Sequence, residues 1–121
     1  MDKININGKQ CTEVEALNMG LDYHKSGNFE SAEKIYKKVY EKNPRNADCL
    51  HLSALILYHF GAFDSAIYKI NRAINLKNNS PQYFYNKGVI LLEKERKEEA
   101  RKCFQKALEI NPNYNKAKRL L

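Results

Sequence analysis

The sequence has few cysteines and no closely spaced pair of them. Its three cysteines, Cys11, Cys49 and Cys103, cannot all pair with one another, and none lies two residues from another. Structural zinc sites and thiol redox motifs use that short spacing, so both are excluded. We therefore expect reduced thiols and a cytoplasmic protein.

Long apolar runs are also missing. The longest, Leu52 to Phe60, is interrupted by Ser53 and His59 and is far too short to cross a bilayer. The first ten residues lack the apolar core and the cleavage site of a secretory leader. The charged fraction of 29% is ordinary for a soluble globular chain, and we expect no membrane partner.

Catalytic and metal-binding patterns are absent from the sequence as well. There is no glycine-rich phosphate loop, and no serine or cysteine nucleophile has an oriented base. His51 and His59 are eight residues apart, or about 12 Å along a helix, which is too far to share one ion. His24 could approach His59, but no third ligand joins them at a recognisable spacing. The sequence predicts no enzyme, no cofactor and no metal site.

What the sequence does contain is one pattern repeated three times at a spacing of 34 residues. Small and large residues recur in register, and the corresponding positions are Gly20, Ala54 and Gly88; Ala32, Ala66 and Ala100; Tyr36, Ile70 and Phe104; Pro44, Asn78 and Pro112. A repeat of this length is typical of paired antiparallel helices stacked into a solenoid.

Local signals divide the chain into helices. Thr12 and Glu15 form a capping box that predicts a helix start at Glu13, and Gly27 and Gly61 occupy equivalent turns. We predict a flexible segment over residues 1–12, three repeats over 13–46, 47–80 and 81–114, and a capping helix or the start of a further repeat over 115–121. The predicted helices are Glu13–Lys25, Phe29–Lys42, Ala47–Phe60, Phe63–Leu76, Pro81–Glu93 and Lys97–Ile110, with a short seventh after Asn113.

These landmarks resemble the tetratricopeptide repeat family. The resemblance implies an all-α, right-handed superhelical solenoid of antiparallel helix pairs, used for protein–protein interaction. Two places depart from the family pattern, because Asn78 replaces a proline and Glu95 replaces the turn glycine of the third unit. The second unit, over residues 47–76, is also similar to the opening repeats of long bacterial proteins that continue into transferase domains.

The resemblance implies that the first helix of each pair lines the concave side of the solenoid. Many outward positions of these helices are apolar, which favours a groove for an apolar peptide or an amphipathic helix of a partner. The predicted groove residues are Leu17, Asn18, Leu21, His51, Leu52, Leu55, Tyr58, Tyr85, Asn86 and Val89. The carboxylate clamp of chaperone-binding family members is absent, because its places hold Leu17, Leu21, Leu52, Gln82 and Asn86.

Other interpretations of these residues stay open. An amphipathic stripe is more often core than binding site, so part of the apolar set is expected to pack between units. The chain could be an N-terminal recognition or oligomerisation module of a longer bacterial protein such as a transferase. Self-association through the C-terminal end, at Leu120 and Leu121, is another possibility. The net charge of +7 permits weak nucleic-acid binding through the basic C-terminal helices, although their interspersed acidic residues argue against this alternative.

Overall fold

The computed structural model describes residues 3–121 as a short hairpin followed by seven helices. Met1 and Asp2 lie outside the described residues. The elements are β1 (Ile4–Ile6), β2 (Lys9–Cys11), α1 (Glu13–Lys25), α2 (Phe29–Lys42), α3 (Ala47–His59), α4 (Phe63–Leu76), α5 (Pro81–Glu93), α6 (Lys97–Ile110) and α7 (Asn115–Lys118).

The helix bounds agree with the sequence signals that predicted them. At the start of α1, Thr12 Oγ1 accepts a hydrogen bond from the Glu15 amide at 3.1 Å, and the Thr12 amide donates to Glu15 Oε1 at 2.8 Å. Gly27 and Gly61 follow α1 and α3 with φ angles of +85° and +79°. Glycine adopts this left-handed conformation without steric cost, so both turns are fixed by residue type.

The helices stack as consecutive pairs. Helix α1 packs on α2, α3 on α4 and α5 on α6, while α2 with α3 and α4 with α5 join neighbouring pairs. The first helices also contact one another in series, α1 with α3 and α3 with α5, and so form the inner side of the stack. The predicted all-α solenoid is confirmed.

Glycine lets the two helices of a pair approach until an aromatic ring touches backbone. A Cβ atom added at Gly88 would lie 2.5 Å from Phe104 Cε1, and one added at Gly20 would collide with the Tyr36 ring. In the second pair the corresponding Ala54 is fully buried. The repeated small residue is therefore a steric requirement of the pair, since no larger side chain fits beneath the ring.

Residues 4–11 form a hairpin, whereas a flexible segment was predicted over residues 1–12, of which Met1 and Asp2 lie outside the described residues. Strands β1 and β2 pair antiparallel, and Ile4, Ile6 and Cys11 are buried against the first helix pair. The two-residue turn is Asn7-Gly8, with φ angles of +52° and +87°, which suits the right-handed twist of a hairpin. The hairpin forms because its alternate residues bury apolar surface that the end of the solenoid would otherwise expose.

The third turn reaches the same backbone shape without glycine. Glu95 has a φ angle of +58° at the place that Gly27 and Gly61 hold in the other units. Its amide donates to the Leu92 carbonyl at 2.9 Å, and the Arg96 amide donates to the Leu91 carbonyl at 3.0 Å. A left-handed conformation is costly for a residue with a Cβ atom, so this turn retains local strain that the helix pair holds in place.

Replacing Gly88 by alanine should overpack the third pair. We expect Gly88→Ala to lower the free energy of unfolding by about 1–3 kcal/mol in urea denaturation, because the new Cβ atom meets Phe104. In a Phe104→Leu background the same change should be neutral or should stabilise by about 0.5–1 kcal/mol, because alanine is the better helix former. Equal destabilisation in both backgrounds would contradict the steric explanation.

Removing an isoleucine from the hairpin should destabilise the first unit. We expect Ile6→Ala to lower the free energy of unfolding by about 2–4 kcal/mol, because it leaves a cavity between hairpin and helices. Gln10→Ala is the matched control, since Gln10 is exposed on the same hairpin. If both variants unfold at the wild-type urea midpoint, the hairpin does not belong to the core.

Candidate functional site

A cleft of about 430 Å³ lies on the inner side of the solenoid, between α1 and α3. Most of its lining comes from these two helices, and Gln82 of α5 closes one end. The lining residues are Val14, Leu17, Asn18, Leu21, Lys25, Asp48, His51, Leu52, Leu55 and Gln82. The cleft is the natural candidate site, because ligand sites are concave and mainly apolar with a few polar groups.

The structure brings six of the ten predicted groove residues into this cleft. They differ in exposure: Leu17 is 8% exposed and packs in the core between the hairpin and the first helix pair, whereas Asn18 is exposed to solvent. The partly buried members are Leu21, Leu52 and Leu55, and His51 lies at the floor. The rim carries Val14, which is 69% exposed although it is apolar.

The other four predicted groove residues line no part of this cleft. Tyr58, Tyr85 and Val89 pack against the core of the second and third units. The Tyr85 ring centroid lies 5.8 Å from those of both Phe104 and Tyr114, so much of this side chain serves packing. The wider groove over the third unit stays a prediction.

Asn86 makes a contact within the protein. Its Nδ2 lies 2.8 Å from His51 Nε2, and the His51 ring stacks on Tyr83 with centroids 4.5 Å apart. Burial lowers the pKa of His51 to about 4, and it outweighs the opposing influence of Asp48. A neutral His51 accepts the hydrogen bond from the Asn86 amide, so this pair joins the second and third units and leaves only part of Asn86 for a ligand.

A polar network borders the cleft where the second and third units meet. The Tyr83 hydroxyl donates to Asp48 Oδ1, and Lys77 Nζ lies 3.8 Å from the same carboxylate. The hydroxyl bond and the Asp48 charge add to burial in raising the pKa of Tyr83, which stays protonated. Asp48 therefore combines a structural contact with a charge that faces the cleft.

The three histidines do not assemble a metal site in residues 3–121. Phe29 separates His24 from His59, with ring centroids 5.3 Å and 4.0 Å away respectively. Burial, followed by the His59 charge, lowers the pKa of His24. Within the described residues, no group of three histidine, cysteine or carboxylate side chains could hold an ion.

None of the helices within residues 3–121 combines the length and the apolar character needed to cross a membrane.

Residues 25–107 match the family model described as "Anaphase-promoting complex, cyclosome, subunit 3", which is of tetratricopeptide type. The chain belongs to this tetratricopeptide repeat family. Domains of the family are generally non-catalytic interaction modules.

Individual relatives agree with the family assignment. The human peptidyl-prolyl cis-trans isomerase FKBP4 is 31% identical over an alignment 114 residues long, and the match covers 82% of this chain. The match spans 25% of that protein, so the chain corresponds to about a quarter of this relative's length.

Solved structures show the same fold. An O-GlcNAc transferase from Thermobaculum terrenum superimposes with a TM-score of 0.84 and 27% identity, covering 87% of this chain and 20% of the transferase. The first tetratricopeptide domain of Spaghetti (RPAP3), bound to the HSP90 peptide SRMEEVD, gives a TM-score of 0.82 and 23% identity, with 88% and 85% covered.

The prediction from sequence missed a second cavity, on the opposite side of α3. Helix α2 supplies most of the lining of this cavity of about 430 Å³, while α3 contributes Ser53 and Leu57 and α4 contributes Lys69. It is lined by Glu30, Glu33, Lys34, Tyr36, Lys37, Tyr40, Ser53, Leu57 and Lys69. Only the alternation of lysines with tyrosines along α2 signals it in the sequence, and that pattern is also typical of a solvated helix face.

The buried His51 should make stability fall on acidification. The unfolded chain takes up a proton near the ordinary pKa of 6.5, whereas folded His51 resists protonation down to about 4. The contribution of His51 to the free energy of unfolding is therefore fully present above its pKa in the unfolded state. It is lost as the pH falls towards its pKa in the folded state. When the pH is lowered from about 7.5 to about 5, we expect the free energy of unfolding, measured in urea, to fall by about 2 kcal/mol more in the wild type than in His51→Gln. An identical loss in both proteins, or an NMR titration with His51 protonated at the higher pH, would contradict the assignment.

Proposed function

We propose that this chain is a protein–protein interaction module whose inner cleft binds an apolar peptide or an amphipathic helix of a partner protein. The observation that carries the proposal is the apolar lining of the cleft, with Val14 at 69% exposure beside half-buried leucines of α1 and α3. Exposed apolar surface in a concave site costs free energy in water, and a complementary apolar face would recover it.

The side chains of the cleft favour an apolar ligand over a carboxylate. Leu17, Leu21 and Leu52 stand where chaperone-binding relatives are expected to carry clamp residues, and each presents hydrocarbon. The charged groups that line the cleft are Lys25 and Asp48, one of each sign, so the site has no cationic focus for an acidic tail. The chain therefore shares its fold with the domain that holds SRMEEVD but is proposed to select a different ligand.

Polar residues at the rim would set the register of the ligand. Asn18 of α1 and Gln82 of α5 are exposed, line the cleft and can bond a peptide backbone. Asn86 already binds His51, and this makes Asn18 the better backbone contact in the proposal. Lys25 and Asp48 would then prefer partner charges of opposite sign at the two ends of the segment.

Three alternatives have less support. The chain could be a recognition module of a larger protein, as its match to 20% of the transferase structure suggests. The same inner cleft would serve such a module. Nucleic-acid binding through α6 is weakened by internal pairing, because Arg96 pairs with Glu99, and Lys106 Nζ lies 3.5 Å from Glu109. Self-association through Leu120 and Leu121, which are 44% and 55% exposed, stays a prediction.

A display selection can test the proposed ligand class. Random peptides of about 16 residues, long enough for four helical turns, would be selected on the full chain and measured by fluorescence anisotropy. We expect the selected peptides to be enriched in apolar residues at helical spacing. Val14→Asp should bind them at least tenfold more weakly, because the bound peptide would bury a carboxylate at the rim of the apolar cleft. Val14 is suitable because its exposure makes the change harmless to packing, whereas Leu52 also contacts the core between the hairpin and the first helix pair.

Two controls make this test specific. Tyr68→Asp introduces the same charge at a side chain that is 65% exposed on α4, outside the cleft, and should leave peptide binding unchanged. The peptide SRMEEVD should not saturate the chain at concentrations that saturate the selected peptides. The proposal fails if selected peptides are acidic and bind through their carboxylates, or if Val14→Asp binds them as wild type does.

A further inference from the structure

The inner cleft runs along the two helices that form its walls. On each helix the lining residues fall at positions i, i+3, i+4 and i+7, so they make one continuous stripe. The stripes consist of Val14, Leu17, Asn18 and Leu21 on α1, followed by Lys25, and of Asp48, His51, Leu52 and Leu55 on α3. From Val14 to Lys25 the stripe on α1 is about 16 Å long, which is three helical turns.

The two walls of the cleft point in the same direction. At one end Asn46, the N-cap of α3, donates from Nδ2 to Glu13 Oε1 at the start of α1, over 2.8 Å. At the other end Phe29 lies between the rings of His24 and His59, which stand where α1 and α3 finish. Contacts at both ends therefore hold α1 and α3 side by side and parallel.

A groove between two parallel stripes is suited to a third helix. Apolar side chains at positions i, i+3, i+4 and i+7 are the pattern by which helices interlock along nearly parallel axes. Leu21, Leu52 and Leu55 are partly buried in the groove, and Val14 is exposed at its rim. A helical ligand repeats with the same period as the walls, whereas an extended segment alternates every two residues and does not.

The two ends of the cleft differ in charge. Where α1 and α3 begin, Glu13 and Asp48 supply two carboxylates, and Lys77 Nζ, 3.8 Å from Asp48, offsets only part of their charge. Where α1 ends, Lys25 is exposed and has no ion-pair partner among residues 3–121. The neighbouring carboxylate of Asp22 lines no part of the cleft. One end is therefore acidic and the other basic.

Helix dipoles and side-chain charges favour the same direction for a ligand helix. The N-termini of α1 and α3 carry partial positive charge at the Asp48 end, and their C-termini carry partial negative charge towards Lys25. A helix that runs in the opposite direction places its own N-terminus beside the C-termini of both walls. Acidic residues stabilise the first turn of a helix and basic residues the last, so this direction brings acids to Lys25 and bases to Asp48.

We propose that the occupant of the inner cleft is an amphipathic helix of a partner protein, about three turns long, that lies antiparallel to α1 and α3. Its first turn carries acidic side chains beside Lys25, and its last turn carries basic side chains beside Glu13 and Asp48. This inference rests on the proposed function, because it assigns the form and the direction of the segment that the cleft binds.

Paramagnetic labelling tests the direction. The probe is a peptide of about 16 residues, blocked at both ends, with leucines at helical spacing, glutamates in its first turn, lysines in its last and a nitroxide at one end. In NMR spectra of the isotope-labelled full chain, a label at the peptide N-terminus should broaden the amide signals of Lys25 and His59 most strongly. A label at its C-terminus should broaden those of Val14 and Asp48 most strongly.

The outcomes separate this inference from the proposed function. Binding with the reversed pattern of broadening would overturn the antiparallel direction and leave the proposed function standing. Failure of this peptide to bind, while the display selection still yields peptides that Val14→Asp weakens, would also overturn the inference alone. If neither the peptide nor any selected sequence binds the cleft, both the inference and the proposed function fail.

Charge variants test the two ends. Lys25→Gln should weaken binding about two- to fivefold, as expected for an exposed ion pair, and should not affect a peptide whose first-turn glutamates are replaced by glutamine. Asp48→Asn should act in the same way on the lysine end, and its amide oxygen can still accept the Tyr83 hydrogen bond. Lys102→Gln, exposed on α6, is the matched control. An equal loss with both peptides in Lys25→Gln would contradict the assignment.

A proline at the centre of the peptide tests the helical form. It should weaken binding at least about tenfold, because proline removes a backbone hydrogen bond and clashes with the preceding turn of a helix. An alanine at the same position is the control and should bind as the parent peptide does. Undiminished binding of the proline peptide would mean that the ligand is extended and would overturn the proposal.

Discussion

The whole architecture depends on how closely two helices can approach within each pair. At Gly20 and Gly88 the approach is limited by an aromatic ring that rests on bare backbone, and at Ala54 a methyl group is tolerated. Interiors are packed at crystal-like density, so this distance cannot relax without opening gaps elsewhere. Once the pair is fixed, its first helix is held against the first helix of the next pair, and the inner cleft has a defined width.

Much of this could be predicted from sequence because the determinants are local and repeated. The Thr12–Glu15 capping box and the turn glycines Gly27 and Gly61 act over a few residues, so helix bounds follow from residue types. The hairpin was missed for a different reason. Its Asn7-Gly8 turn and alternating isoleucines are a known hairpin signal, but a segment this short is stable only by packing on the solenoid end, which a one-dimensional pattern does not display.

The candidate site was predicted less completely, and the reason is again physical. Outward positions on a helix are assigned by counting, but which of them face a ligand depends on the neighbouring unit. Tyr85 is among the predicted groove residues, yet Tyr114 and Phe104 take up much of its surface. Asn86 is also among the predicted groove residues, although His51 across the unit boundary engages its amide. Contacts between units are long-range in sequence, so neither outcome is visible in the repeat pattern.

The hairpin changes the local stability of the first helix pair. Stability in stacked repeats is a sum of unit and neighbour terms, so a terminal unit with one neighbour normally frays first. Here β1 and β2 give α1 and α2 a second neighbour, and Lys38 Nζ fastens the hairpin by donating to the Asn5 carbonyl at 3.0 Å. Local opening of α1 and α2 must therefore break contacts with the hairpin as well as with α3, so exchange of their amide protons with solvent is resisted from both sides of the pair.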